Sequence, residues 1–331
     1  MTKRIAIVGA GSWGTALAVL AARAGHEVAL WSRDAEIVNS INEHRFNSRY
    51  LTPISIPDRV TATSKIDDAL DNAALVLLAA PSHAVRELLT EMTPDLDDDA
   101  IIVNVAKGVE TETGKRISEI VREVAGSRAF VCLSGPSFAK EVVAGSPTAV
   151  VAASKDAAAA RTVQNDLSFE NLRIYTNTDV IGTELGGSVK NVMAIAAGMT
   201  TGLGLGSNSV AALITRGLAE ITRLARREGA QVETLMGLAG LGDLVLTCTG
   251  HLSRNLFVGE QLGKGIALDE IVSSMNEVAE GIKTTKAVKQ LADRAGLEMP
   301  ITNEVNAVLY EGKSVRDAIA ELMSRPLREE V

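Results

Sequence analysis

The stretch IAIVGAGSWGTALA, residues 5–18, constrains the chain more than any other. An apolar run enters Gly9, Gly11 and Gly14 and leaves as a helix-like segment. A strand, a G-x-G-x-x-G turn and a helix in this order open a βαβ unit. The first glycine permits the tight turn. The second lets a pyrophosphate come up against the backbone, and the third lets helix and strand pack closely. Unpaired N–H groups at the helix start then face the phosphates. The same glycines could serve a plain turn, but their place between a strand and a helix at the head of an alternating chain favours a dinucleotide site. Trp13, inside the loop, reads as a wall against that ligand.

The alternation continues. Strand-like runs are expected at 4–8, 27–32, 60–63, 74–80, 101–106, 129–133, 148–153 and 172–176. Helical segments separate them, with Asp34 and Ser82 as candidate N-caps and Gly25 as a C-terminal stop. Apolar strands without polar alternation imply a mostly parallel, doubly wound sheet covered on both faces. After Thr176 only helical patterns remain, which predicts an all-α second half. The 331 residues are too many for one small core, so two domains are expected, 1–178 and 179–331.

Ligands of such sheets bind at the carboxyl ends of the strands, so the loops there carry the candidates. The second strand ends at Ser32 and Arg33, a hydroxyl and a guanidinium that suit a 2′-phosphate. NADP(H) is therefore favoured, while Asp34 keeps NAD(H) admissible unless it only caps a helix. His83 follows the fourth strand and is a weak candidate base. Lys107 follows the fifth, where a cation contacts cofactor or substrate. Gly135 and Ser137 follow the sixth and offer backbone donors and a hydroxyl. In the helical half, Gly186 and Gly187 suggest a close helix approach. Lys190 sits in an apolar helix, where it either snorkels or functions. Glycines 237, 240, 242 and 250 surround Asp243, and Ser253-Arg254-Asn255 at a helix start makes a candidate phosphate site.

Together GAGSWGTALA, PSH, AKG, LSGPSFA, ELGGSVKNVMAIAAG, GLAGLGDLVLTCTG and SRN span essentially the whole chain. In this combination the chain resembles the bacterial-type NAD(P)-dependent glycerol-3-phosphate dehydrogenases. The resemblance implies a Rossmann-type domain followed by a helical one. It implies hydride transfer between sn-glycerol 3-phosphate and dihydroxyacetone phosphate, supplying glycerol 3-phosphate for phospholipid synthesis. Lys190 would accept the proton in the oxidative direction, with Lys107 and Asp243 completing the polar centre. Gly135, Ser137, Ser253, Arg254 and Asn255 would hold the substrate. Ser12, Trp13, Arg33, Ala139, Val278 and Glu280 would join the glycines around the cofactor, and Lys107 and Arg254 would touch both ligands.

The chemistry agrees. Hydride removal from a secondary alcohol needs a base and a cation that stabilises alkoxide character. A free lysine, with a pKa near ~10.4, needs burial or a neighbouring cation such as Lys107 to act as that base at neutral pH. No tyrosine has a lysine four residues on, which disfavours a short-chain dehydrogenase mechanism. Two rivals are a hydroxyacid or ketopantoate reductase, which needs no phosphate site, and a non-catalytic NADPH sensor, in which Lys190 and Asp243 are dispensable.

A formal net charge of −8 argues against general nucleic-acid binding. Cys132 and Cys248 form no CxxC pair, which argues for a reducing compartment and against a thiolate metal site, and no metal is expected. The opening residues read as a strand and lack the length of a signal peptide or membrane span. The expected setting is cytoplasmic, with a small-molecule substrate and a homodimer left open.

Overall fold

The computed structural model describes residues 2–275, 279–327 and 329. The chain divides into two compact units, Met1–Gly108 with Lys115–Glu184, and Val109–Gly114 with Leu185–Val331. Strands of the first unit are β1 (Arg4–Val8), β2 (Glu27–Trp31), β3 (Val60–Thr63), β4 (Leu75–Leu78), β5 (Ile101–Asn104), β6 (Phe130–Ser134), β7 (Thr148–Ala153) and β8 (Leu172–Asn177). They form one sheet in the order β3-β2-β1-β4-β5-β6-β7-β8. β1 to β6 are parallel, β7 runs antiparallel to β6, and β8 is parallel to β7. The winding reverses between β1 and β4, where open α/β sheets bind ligands.

Helices α1 (Ser12–Arg23), α2 (Ala35–His44), α3 (Ile66–Leu70), α4 (Val85–Met92), α5 (Ile117–Val124), α6 (Ala139–Val143) and α7 (Ala157–Leu167) accompany the sheet. The uninterrupted apolar runs are explained by two cores. Ile5 and Ile7 of β1 enter one with Leu17, Leu30 and Leu77, while Ala6 and Val8 enter the other with Val76, Leu78 and Ile102. Each fully buried large aliphatic side chain contributes about 1.5–3 kcal/mol, so successive residues of one strand are held from both faces.

The local signals mostly hold. Gly25, at φ +96°, follows the end of α1. The Asp34 carboxylate accepts from the Glu36 N–H and caps α2. Ser82 does not cap a long helix: Ser82–Ala84 form one 3₁₀ turn, and α4 begins only at Val85. Pro81 sets the turn, and the Ala84 N–H is already bonded to its carbonyl. Side chains satisfy the outward-facing backbone of one residue on each edge strand. On β3, Asn42 exchanges two hydrogen bonds with the Ala62 backbone, both 2.9 Å. On β8, the Ile174 carbonyl accepts from Gln164 at 2.7 Å and its N–H donates to Ser168 at 3.3 Å.

Among the described residues no strand follows β8. The rest is α8 (Val180–Gly202), α9 (Ser207–Arg227), α10 (Val232–Leu235), α11 (Asp243–Thr249), α12 (Arg254–Gly263), α13 (Leu268–Ser273), α14 (Glu280–Ala295), α15 (Pro300–Tyr310) and α16 (Val315–Ser324). A π turn, Leu238–Gly242, leads directly into α11. The segment Val232–Thr249 is apolar enough to cross a membrane by length and composition. It folds instead as α10, the π turn and α11, and carries the buried Asp243. Glu220 of α9 is buried and accepts from Ile301 N (2.6 Å), Thr302 N (3.2 Å) and Thr302 Oγ1 (3.1 Å), satisfying the start of α15. Burial pushes its carboxyl above the usual carboxylate range.

Candidate active site

The glycine turn is built as its spacing demands. Gly9 sits at φ +121°, and a Cβ there would lie 2.8 Å from the Ala79 carbonyl beyond β4. A Cβ on Gly14 would overlap the Gly9 carbonyl, whereas one on Gly11 would meet nothing within 4 Å. The middle glycine thus leaves open the space through which a phosphate reaches the backbone, so these residues fit a dinucleotide. Ser12 and Trp13 open α1, and Trp13 is partly buried against the first core. Sequence reasoning missed Asn47. This buried side chain donates to the Ala10 carbonyl and to Thr15 Oγ1, both at 2.9 Å, and accepts from Arg49 N and Tyr50 N. It ties the turn to a segment 37 residues on, and no local pattern announces so distant a bond.

At the end of β2, Trp31 and Ser32 are buried. The Ser32 hydroxyl accepts from Asp34 N at 3.2 Å. Arg33 is half-exposed, lies 5.8 Å over the Trp31 ring, and pairs with Glu87 (3.2 Å) and Glu91 (3.8 Å) of α4. The Asp34 carboxylate is engaged twice, as the α2 cap and as the partner of Arg49 at 3.0 Å.

Three expected residues converge beyond β5 and β6. The Gly135 carbonyl accepts from Lys107 Nζ and from Ser137 Oγ, both at 2.9 Å. Gly135 itself sits at φ +142° against Val150. Ala139 follows as the first residue of α6. His83 lies exposed in its 3₁₀ turn.

In the second unit Lys190 is only 5% exposed and Asp243 1%. Lys190 Nζ donates to Asp243 Oδ1 at 2.5 Å and to Thr247 Oγ1 at 2.6 Å. The three side chains are brought together across 53 and 57 residues of sequence. Thr247 was not among the candidates. It lies one helical turn beyond Asp243, so its signal was an i, i+4 pair on a helix the sequence did not announce. The charged partner that this unit gives Lys190 is the Asp243 carboxylate. Burial of two opposite charges is tolerable only with close geometry and further hydrogen bonds, and both are present. Cys248, buried beside this pair, has its thiol pushed up to about 12 by burial, so it is inert as a nucleophile.

The phosphate candidates open α12. Ser253 is buried and its Oγ accepts from Leu256 N at 3.2 Å, the expected serine cap. Arg254 is exposed. Asn255 Oδ1 accepts from Gly281 N at 2.9 Å, joining this start to that of α14, whose first residue is Glu280. Val278 lies outside the described residues. His251 is exposed in the preceding loop. Among the described residues, no group of three or more His, Cys, Asp or Glu is placed to hold a metal ion.

The sequence profile described as the NAD-dependent glycerol-3-phosphate dehydrogenase N-terminus matches residues 4–160, and that of the C-terminus matches 179–320. A glycerol-3-phosphate dehydrogenase [NAD(P)+] of Koribacter versatilis is 56% identical over 99% of both chains. One of Citrifermentans bemidjiense is 50% identical over 100% of this chain and 99% of its own. The crystal structure of glycerol-3-phosphate dehydrogenase from Coxiella burnetii superposes with a TM-score of 0.95 at 41% identity, covering 98% of this chain and 99% of that one. With both halves matched and relatives aligned end to end, the chain belongs to the NAD-dependent glycerol-3-phosphate dehydrogenase family.

Proposed function

We propose that the protein interconverts dihydroxyacetone phosphate and sn-glycerol 3-phosphate with a nicotinamide cofactor, and that in the cell it supplies glycerol 3-phosphate for phospholipid synthesis. The observation that carries this reading is the buried Lys190–Asp243–Thr247 cluster. Residues 1–178 are assigned mainly to the cofactor and 179–331 mainly to the substrate. When bound, the nicotinamide gives or takes the hydride. The protein's own work is the proton and the phosphate.

In the reductive direction Lys190, held by Asp243 and Thr247, donates its proton to the ketone oxygen as that oxygen gains charge. In the oxidative direction it receives the hydroxyl proton. Asp243 fixes the ammonium in place, and Lys107 adds positive charge for the substrate. Ser253, Arg254 and Asn255 are assigned to the substrate phosphate, where a helix start and a guanidinium favour an anion. Gly135 and Ser137 complete the substrate contacts. The glycine turn with Ser12 and Trp13 takes the cofactor, together with Arg33, Ala139, Val278 and Glu280.

NADP(H) is favoured over NAD(H). The support is that Asp34, the acidic side chain an NAD ribose would need, is occupied by α2 and by Arg49. Arg33 and Arg49 meanwhile leave two guanidinium groups near the end of β2. A cytoplasmic setting belongs to the same reading, and sedimentation tests the homodimer left open above. The deciding experiment follows oxidation of NADPH and of NADH with dihydroxyacetone phosphate. Turnover that needs the phosphate, faster with NADPH, is expected. No turnover with either cofactor overturns the reading.

A further inference from the structure

Helix α8 carries Lys190 between two contacts of different kind. One turn before it, Gly186 lies against the π turn, so closely that a Cβ would stand 2.6 Å from the Ala239 carbonyl oxygen and 3.3 Å from Gly240 Cα. Further along, Gly198 and Gly202 lie against Leu256, Gly259 and Glu260 of α12, and Gly263 lies against Met199 and Gly202. The first contact touches the segment that ends at Asp243. The second touches the helix that begins with Arg254 and Asn255.

The π turn is what makes the first contact consequential. Gly242 N donates to the Gly237 carbonyl at 3.1 Å, five residues back, so the turn is one residue wider than an α-helical one. Asp243 is the next residue, and its own carbonyl accepts from Thr247 Oγ1 at 2.6 Å. Both groups that hold Lys190 Nζ therefore lie on the helix that continues directly from the turn Gly186 touches at Ala239 and Gly240. Gly186 and Lys190 are four residues apart on α8 and share one face. The ion pair is short at 2.5 Å and nearly sealed from water, so a shift of the π turn by a few tenths of an ångström is passed on to it.

We propose that Gly186 is a positioning residue for proton transfer. Its lack of a side chain sets how far the π turn stands from α8, and so sets the Lys190–Asp243–Thr247 geometry, independently of the α12 contact that carries the phosphate grip. The inference rests on the assignment of proton transfer to Lys190.

Three folded variants test it, by steady-state kinetics with dihydroxyacetone phosphate, thermal unfolding and the affinity for NADPH. A misplacement of about 1 Å can cost ~10²-fold in rate, so Gly186→Ala is expected to lower kcat by at least about tenfold. Its KM and NADPH affinity should stay within about twofold, the signature of an interaction realised in the transition state. Ala239→Gly adds no atom and loosens the π turn without a clash, so overlap does not threaten its folding as it does in Gly186→Ala. It should lower kcat in the same direction by about threefold. Gly263→Ala, where a Cβ would meet the Met199 carbonyl at 2.5 Å, is the contrast and should raise KM with kcat nearly kept. Wild-type kcat in folded Ala239→Gly overturns the proposal. So does a joint change of kcat, KM and melting temperature in Gly186→Ala, which marks general loosening. Lys190→Met run in parallel separates the two levels. If it keeps normal kcat, the assignment itself fails and the inference with it. If it loses kcat while the glycine variants do not, only the inference fails.

Discussion

The glycine turn after β1 and the Lys190 cluster solve opposite problems. The turn, proposed to take the cofactor, clears space by removing side chains within six consecutive residues, and the donors it offers are backbone N–H groups. The cluster, proposed as the proton-transfer centre, joins three side chains drawn from α8 and α11, 53 and 57 residues apart, sealed from water. Charges follow the same division. Arg33 at the end of β2 is half-exposed and paired with exposed glutamates, an interaction worth about 0–1 kcal/mol. Lys190 is buried with its carboxylate. Recognition of a phosphate chain asks for open backbone, whereas proton transfer asks for one group held still in a dry place.

The largest expected effect breaks the second region alone. Lys190→Met should lower kcat by about 10²–10⁴-fold with NADPH affinity nearly kept. It also leaves Asp243 buried without its cation, at a stability cost of about 3–5 kcal/mol. Unfolding in urea should register that loss, which Asp243→Asn in the same chain should partly reverse. If kcat stays normal, Lys190 is structural.

Next in size is Arg254→Ala. A charge-assisted hydrogen bond contributes about 1.5–3 kcal/mol, so KM for dihydroxyacetone phosphate should rise roughly ten- to hundredfold. The NADPH KM, measured alongside, decides whether this arginine also serves the cofactor. An unchanged substrate KM in folded protein moves the phosphate elsewhere.

Arg33→Asp sharpens the contrast from the open side. It should weaken NADPH about tenfold or more relative to NADH, through one lost ionic contact and one added repulsion. Equal losses for both cofactors remove Arg33 from the 2′-phosphate.

The smallest effect concerns Glu220, whose carboxyl burial raises above its ordinary value. The sign is fixed by linkage. Between the unfolded value near ~4.3 and the higher folded one, the folded protein keeps a proton the unfolded chain has released. Glu220's contribution to stability is therefore greatest below that window and falls as pH rises through it. Glu220→Gln should flatten the decline in urea midpoint from acid toward neutral pH. A wild-type slope in this variant excludes Glu220 as its source.

The same division governs what the sequence revealed. All eight strands and the glycine turn were legible because each is written in adjacent residues, as an apolar run or a fixed spacing. The Ser253 cap was legible for the same reason. Asn47 was not, because its bond to Ala10 depends on the fold bringing residue 47 back to β1. Thr247 was hidden by α11, a seven-residue helix begun by a π turn whose glycines read as loop. The carboxylate facing Lys190 could be named, but not its distance. That distance emerges only when α8 and α11 lie together.

The side-chain contacts on the sheet edges bear on how this protein behaves in a crowded solution. An edge strand with free backbone groups recruits strands from other molecules and seeds fibres. Here the outward-facing N–H and C=O of Ala62 on β3, and of Ile174 on β8, are already claimed by Asn42, Ser168 and Gln164. Each amide mimics the backbone of an absent neighbour and ends the ladder at its middle. An incoming strand that pairs at either residue would have to break two hydrogen bonds to make its own there, which disfavours templated pairing across the middle of each edge.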